Sequence, residues 1–212
     1  MTTAVAMTYD SLTQNIIDWL ERTDPVTVNN IPTFIMLAEQ QLATDIKFLG
    51  NLTVAEFTFV AGQNIVQKPA RWRKTVSMNV TDSSGNANPV LLRKYEYIKE
   101  YTPNGTSEGL PQYFGDYDYF HWIVGPTPDQ AYSAEVLYYE RVQPLDSTNQ
   151  TNWYTINAPQ ALLFGALLQS ASFLKNDERI PVWQQLYTAI VSSLKTEDTQ
   201  RIGDRQATVL DT

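Results

Sequence analysis

The feature that most constrains the fold of this chain is a change in its hydrophobic period along the sequence. Near both ends, apolar residues recur about every 3.6 positions, the period of an α-helix with one buried face. Between these ends, β-branched and aromatic residues recur about every second position, the period of a β-strand. The pattern therefore predicts an α+β protein in which helices flank a block of strands.

Two helices are predicted in the first fifty residues. The apolar stripe of the first helix consists of Leu12, Ile16, Trp19 and Leu20. This helix is expected to stop at Asp24-Pro25, because a residue before proline is biased away from the α-helical conformation. The second helix is predicted from about residue 31 to residue 49, and its stripe consists of Ile35, Ala38, Leu42 and Ile46.

Two more helices are predicted after Asn157-Ala158-Pro159. The first is apolar around most of its circumference and is expected to be central; its apolar residues include Leu162, Leu163, Ala166 and Leu167. The stripe of the last helix consists of Trp183, Leu186, Tyr187, Ile190 and Leu194. From Thr199 onward the sequence is polar and loses its period, which predicts a flexible C-terminal arm over residues 201–212.

The middle of the chain carries six or so short strand patterns separated by turn residues. The first pattern, Leu52–Val60, is followed by a turn at residues 61–64 and by Ile65-Val66, which favours a β-hairpin. Later strands are predicted at Tyr117–Val124 and Ala134–Val142, and two helical turns are predicted at Tyr95–Tyr101. Residues 51–150 are therefore predicted to form an antiparallel β domain inserted in a discontinuous helical bundle of residues 1–50 and 155–200.

Composition and charge exclude several classes of function. The chain has no cysteine, so it can form neither disulfides nor cysteine-based metal sites. Its net charge of −8 disfavours a conventional DNA-binding role but is compatible with a wall past which DNA slides. No signal-peptide pattern precedes Asp10, and no window approaches the roughly 18 apolar residues of a membrane span.

The residues that could carry chemistry do not form a catalytic or metal-binding motif in the sequence. His121 is the single histidine and lies among aromatic residues, so a partly buried strand position is favoured over a catalytic one. Asp116 and Asp118 could project from one sheet face as a carboxylate pair, but further metal ligands are missing. The basic cluster Arg71–Lys74 is typical of a solvated strand end. We therefore expect no enzymatic activity, no cofactor and no metal.

Aromatic residues are numerous, with 12 Tyr, 8 Phe and 5 Trp. They are typical both of a β-rich core and of protein interfaces. The strands from Tyr113 to Trp122 could thus form an aromatic face for a spike protein or a glycan. This binding-module interpretation is the alternative to a structural one.

A family resemblance is carried by segments spread from about Tyr9 to Arg205. These segments are Tyr9-Asp10-Ser11-Leu12, Ile16–Arg22, Ile31–Gln40, Lys68–Arg73, Tyr117-Asp118-Tyr119, His121-Trp122, Pro126-Thr127-Pro128, Asn149–Trp153 and Phe173–Pro181. With them, the chain resembles the adaptor family of short-tailed bacteriophages, also described as head-to-tail connector or head-completion proteins.

The resemblance implies a structural virion protein at the head–tail junction, made in the host bacterial cytoplasm. Adaptors of this family form homo-oligomeric rings, commonly dodecamers, that bind the portal protein on one side and tail nozzle, fibre or spike proteins on the other. DNA would pass through the lumen during ejection without specific binding. No membrane contact is implied, and the family supplies no catalytic residues.

The predicted C-terminal arm is our hypothesis for a portal or neighbour interface, because it has no packing pattern of its own. The residues assigned to this interface are Arg201, Ile202, Arg205, Val209 and Leu210.

Overall fold

The structure is a computed structural model that describes residues 7–46, 51–103, 107–171, 173–174 and 178–207. In chain order, its elements are α1 (Tyr9–Leu20), α2 (Pro25–Asp45), β1 (Leu52–Phe59), β2 (Ile65–Gln67), β3 (Trp72–Thr81), β4 (Ala87–Leu92), α3 (Tyr95–Tyr101), β5 (Tyr113–Asp116), β6 (His121–Gly125), β7 (Tyr132–Glu140), α4 (Trp153–Asn157), α5 (Pro159–Ala171) and α6 (Ile180–Ala207). The presence of these helices and of one seven-stranded sheet confirms the α+β class.

The chain divides into two compact units. The β unit comprises Leu52–Arg141, and the helical unit comprises the residues up to Asn51 and from Val142 onward. The sequence patterns had placed residues 142–150 with the strands. In the structure this segment lies in the helical unit, because Leu145 is buried in the helical core.

The helix ends follow from local hydrogen bonding. Thr8 caps α1 in a capping box with Ser11, and the side chain of Asp24 caps α2 by accepting a 2.9 Å hydrogen bond from the backbone N–H of Thr27. The prediction that the second helix starts near residue 31 is wrong. The helix starts at Pro25, because Asp24 caps it and proline is well suited to the first turn of a helix. Pro32 therefore lies inside α2.

The core of the helical unit is built around α5, as its uniformly apolar sequence predicts. α5 packs against α1, α2, α4 and α6. Gly165 allows a very close approach, because a Cβ atom there would lie 3.2 Å from the Cβ of Ala38 in α2 and 3.3 Å from the ring of Tyr187 in α6. An added Cβ atom would require Ala38 or Tyr187 to shift by a few tenths of an ångström.

The last helix is longer than its hydrophobic stripe. α6 continues to Ala207, so the loss of apolar period after Thr199 does not end it. The residues beyond Thr199 include Gln200, Arg201 and Arg205, which have high helix propensity. Residues 208–212 lie outside the described part of the chain.

The strands of the β unit are ordered β1-β7-β3-β4-β5-β6-β2. The predicted hairpin between the first two strands is wrong: β1 pairs with β7 along its full length, and β2 pairs with β6. All pairs are antiparallel except β4 with β5, which are parallel because α3 carries the chain across between them. The expectation of a purely antiparallel sheet is corrected accordingly.

The core of the β unit contains a group of aromatic side chains centred on Trp122 of β6, which is 1% exposed. The rings of Phe57, Phe114 and Trp72 lie within 6.3 Å of it, centroid to centroid. A large part of the aromatic content therefore serves the core of the sheet. Among the described residues, no helix is both long enough and apolar enough to cross a membrane.

Candidate interaction surfaces

Asp116 and Asp118, the two carboxylates considered as a catalytic pair, are held by different partners. Asp116 ends β5, and its Oδ1 atom lies 2.7 Å from Nζ of Lys68. Asp118 lies in the turn before β6 and accepts hydrogen bonds from the backbone N–H groups of Phe120 and His121 at 2.7 and 2.8 Å. The expectation that both project from one sheet face is wrong, because the strand ends before Asp118.

His121 takes part in this same turn. Its Nδ1 atom lies 2.9 Å from both carboxylate oxygens of Asp118, and hydrogen bonding by the His121 side chain holds the pKa of Asp118 below its usual range. The histidine is partly buried at the start of β6, as expected. Among the described residues, no group of three or more His, Asp and Glu side chains could hold a metal ion.

Lys68 is a deeply buried basic residue beside this turn. Its side chain is 3% exposed, and its Nζ atom donates hydrogen bonds to Asp116 Oδ1 at 2.7 Å and to the backbone oxygen of Asp118 at 2.8 Å. The same atom lies 3.9 Å from the centroid of the Trp72 ring. These contacts compensate the buried charge and tie the segment before β3 to the β5–β6 turn.

Two residues of the basic cluster Arg71–Lys74 form contacts inside the β unit. Arg71 forms an ion pair of 2.6 Å with Glu140 of β7. Trp72 packs on the aromatic core and donates a 3.0 Å hydrogen bond from Nε1 to Thr75. The cluster thus lies at the start of β3, a strand end as predicted.

A group of tyrosines, four of them exposed and one half-buried, forms a distinctive surface of the β unit. We define the tyrosine surface as Tyr95, Tyr97, Tyr101, Tyr113 and Tyr117 with the cations Arg93 and Lys99. The rings of Tyr97 and Tyr101 are stacked, with centroids 6.3 Å apart, and each is in a T-shaped arrangement with the Tyr113 ring, at centroid distances of 5.3 and 5.0 Å. Hydrogen bonding with Tyr97 raises the pKa of the Tyr113 hydroxyl.

The tyrosine surface exists because α3 packs tightly on the sheet. Ile98 is the buried residue of α3, and it lies over Gly115 and Gly125. A Cβ atom at either glycine would come within 3.0 Å of the Ile98 side chain. Because Tyr97 and Tyr101 are four positions apart, they lie on the same outward side of the helix.

Cations are interleaved with these rings. The Arg93 guanidinium lies 5.7 Å from the centroids of both Tyr97 and Tyr113, and Lys99 Nζ lies 5.7 Å from that of Tyr95. An open depression of about 540 Å³ adjoins the surface and is lined in part by Arg93, Lys94 and Tyr95. Exposed tyrosine and arginine are among the residue types enriched at protein interfaces, so this surface is suited to binding a partner.

The helical unit contains a buried carboxylate that was not predicted from the sequence. Glu39 of α2 is 8% exposed and accepts a 2.6 Å hydrogen bond from Asn152 Nδ2 and 3.3 Å hydrogen bonds from the backbone N–H of Leu145. Burial raises the pKa of Glu39 to about 6. A signal was present in the sequence, because Glu39 is adjacent to Ala38 and falls within the apolar stripe of the second helix.

The residues predicted to form the portal or neighbour interface are placed only in part. Arg201, Ile202 and Arg205 lie within α6. Val209 and Leu210 lie outside the described residues. The interface assignment for these residues stays a prediction.

A family model described as SU10 adaptor protein matches residues 7–209 of the chain. No curated protein matches it.

Proposed function

The chain belongs to the SU10 adaptor protein family and is therefore a structural component of a phage virion, and we propose that it forms a ring joining the portal to the tail. The ring would extend the DNA channel from the portal toward tail nozzle, fibre or spike proteins. The observation that carries this proposal is the family match over nearly the whole chain, which includes both the helical unit and the β unit.

The charge of the chain supports a channel function. With a net charge of −8, each copy adds negative charge to the ring, and DNA phosphates would be repelled on average instead of bound. The candidate catalytic residues also have structural roles, since Asp118 closes a turn and Asp116 compensates Lys68. We accordingly propose an assembly role without catalysis.

Mixing the purified chain with the portal protein of the same virion tests the proposal. Mass measurement and electron microscopy should show a complex in which many copies of this chain form a ring on one end of the portal. A chain that does not bind the portal, and that is absent from purified virions, would overturn the proposal.

A second candidate function was expected from an aromatic face on the strands from Tyr113 to Trp122. Phe114 and Trp122 are buried in the core of the sheet, so this alternative now rests on the tyrosine surface. Stacked, exposed rings interleaved with Arg93 and Lys99 suit a binding face for a spike protein or a glycan. In this alternative, the chain is another tail or minor virion protein. Binding to a glycan array by the free chain, without any ring on the portal, would favour it over the adaptor ring.

A further inference from the structure

Two helices of the helical unit present outward sides that carry no charge. Between Pro25 and Thr44, the one charged residue of α2 is the buried Glu39. We define the α2 face by exposed residues of this span, which include Val26, Asn29, Thr33, Met36, Leu37 and Gln40. Val26 is 64% exposed and Met36 is 44% exposed.

The first half of α6 has the same character. From Ile180 to Leu194 it contains no charged residue, and the first charged residue along this helix is Lys195. We define the α6 face by exposed residues that include Val182, Gln185, Leu186, Ala189 and Ser193. Val182 is an apolar side chain that is 55% exposed.

Such faces are unusual for helices that remain in water. The solvent side of a surface helix normally carries Lys, Glu, Arg and Asp, which keep it hydrated and prevent association. Depletion of charge, together with exposed apolar side chains, is typical of the core of a protein interface. Both faces can be buried without the cost of removing a charge from water.

We propose that these two faces are the contact between neighbouring copies of this chain, with the α2 face of one copy packed on the α6 face of the next. This inference rests on the proposed ring function and assigns the surfaces that close the ring. A nucleic acid or an acidic protein would need cations, which neither face supplies. A second copy of the chain offers a matching uncharged face.

Ring symmetry and net charge support the same partner. A ring requires two different, complementary patches on each subunit, and the α2 and α6 faces are two such patches. Copies with a net charge of −8 repel one another, and contact through uncharged faces keeps their carboxylates apart.

Disulfide cross-linking tests the contact, because the natural chain has no cysteine. In the chain bound to the portal protein, the double variant Met36→Cys with Leu186→Cys should oxidise to a ladder of covalently linked copies. The matched control, Met36→Cys with Thr196→Cys, carries its second thiol on the charged half of α6 and should give no ladder. Each single variant should give no product larger than a dimer.

A charge variant provides the second measurement. Leu186→Glu should abolish ring formation while the far-ultraviolet circular dichroism stays unchanged, and the control Thr196→Glu should assemble as the natural chain does. Rings of natural size from Leu186→Glu, with no ladder from the double cysteine variant, would overturn this contact and leave the adaptor function intact. A natural chain that forms no ring on the portal would instead overturn the proposed function.

Discussion

Glu39 accepts a 2.6 Å hydrogen bond from the side-chain amide of Asn152, a residue 113 positions later in the chain. This contact joins α2 to the segment that caps α4, so the two ends of the helical unit meet at a polar group as well as in an apolar core. The core alone would tolerate small sliding of helices, whereas a buried carboxylate with fixed donors favours one arrangement.

The first prediction concerns the pH dependence of stability. Because the folded-state pKa of Glu39 is about 6, above the ordinary value of 4.5, the folded protein binds more protons than the unfolded chain between these pH values. The contribution of Glu39 to the free energy of unfolding is therefore fully present below pH 4.5 and is lost as the pH rises through about 6. Its size over this window is about 1–2 kcal/mol.

Urea unfolding of the natural chain and of Glu39→Gln at several pH values measures this effect. The difference between the two free energies of unfolding should change most between pH 4.5 and about 6 and become constant at higher pH. Comparison with the variant removes the contributions of other carboxylates to the pH dependence. One of these is Asp118, whose pKa is lowered, so its protonation affects stability only at lower pH. A pH-independent difference would contradict the prediction.

A second prediction concerns the packing of α3. A Cβ atom at Gly115 would lie 2.5 Å from the backbone oxygen of Arg93 and 3.0 Å from Ile98 Cδ1. Gly115→Ala should lower the free energy of unfolding by about 1–3 kcal/mol, because the backbone oxygen of Arg93 cannot give way cheaply. Chemical denaturation measures the loss, and Ser133→Ala at an exposed position of β7 is the control. Equal stability of the two variants would show that α3 is not held by this contact.

The buried Lys68 gives a third prediction, in which the two partners of one ion pair behave differently. Asp116→Ala leaves the Lys68 ammonium buried without its carboxylate and should cost about 1–3 kcal/mol. Lys68→Met removes the buried charge, fills the same space and leaves Asp116, whose side chain is 70% exposed, to water. Thermal or urea unfolding should rank Asp116→Ala as the less stable variant; the reverse order would contradict this account.

A fourth prediction concerns the tyrosine surface as the docking site for a tail partner. The double variant Tyr97→Ala with Tyr101→Ala removes the stacked pair and should weaken binding of the nozzle, fibre or spike protein by at least about tenfold, as interface tyrosines at hot spots typically contribute more than about 1 kcal/mol each. Tyr119→Ala is the matched control, since Tyr119 is exposed but lies outside this surface. Binding by the double variant at natural strength, measured with purified tail protein, would exclude the surface.

The C-terminal residues give the fifth prediction. Deletion of residues 201–212 should abolish attachment to the portal and leave the folding of the chain unchanged, since the buried residues of α1, α2 and α5 and the buried part of α6 up to Val191 stay in place. Deletion of residues 208–212 alone distinguishes the end of α6 from the residues after Ala207. Unchanged attachment of the longer deletion to the portal would reject the arm as an interface.

Several properties of this protein could be predicted from the sequence because they depend on neighbouring residues. The helical period predicted a central α5, and the alternating period predicted the strand-rich middle of the chain. The isolation of His121 among aromatic residues favoured a structural position, which agrees with its hydrogen bonding to Asp118 in a turn. Periods and caps are local, and for this reason they can be recognised in one sequence.

Only the tertiary structure decided which distant segments meet. A hairpin between β1 and β2 is favoured locally, yet β1 pairs with β7 because the long pairing from Leu52 to Phe59 satisfies more backbone groups than pairing with a three-residue strand could. The clustering of the tyrosines of α3 with Tyr113, and the contact of Glu39 with Asn152, likewise join residues far apart in sequence. Such contacts form only when the whole chain has buried its apolar surface, so no local pattern contains them.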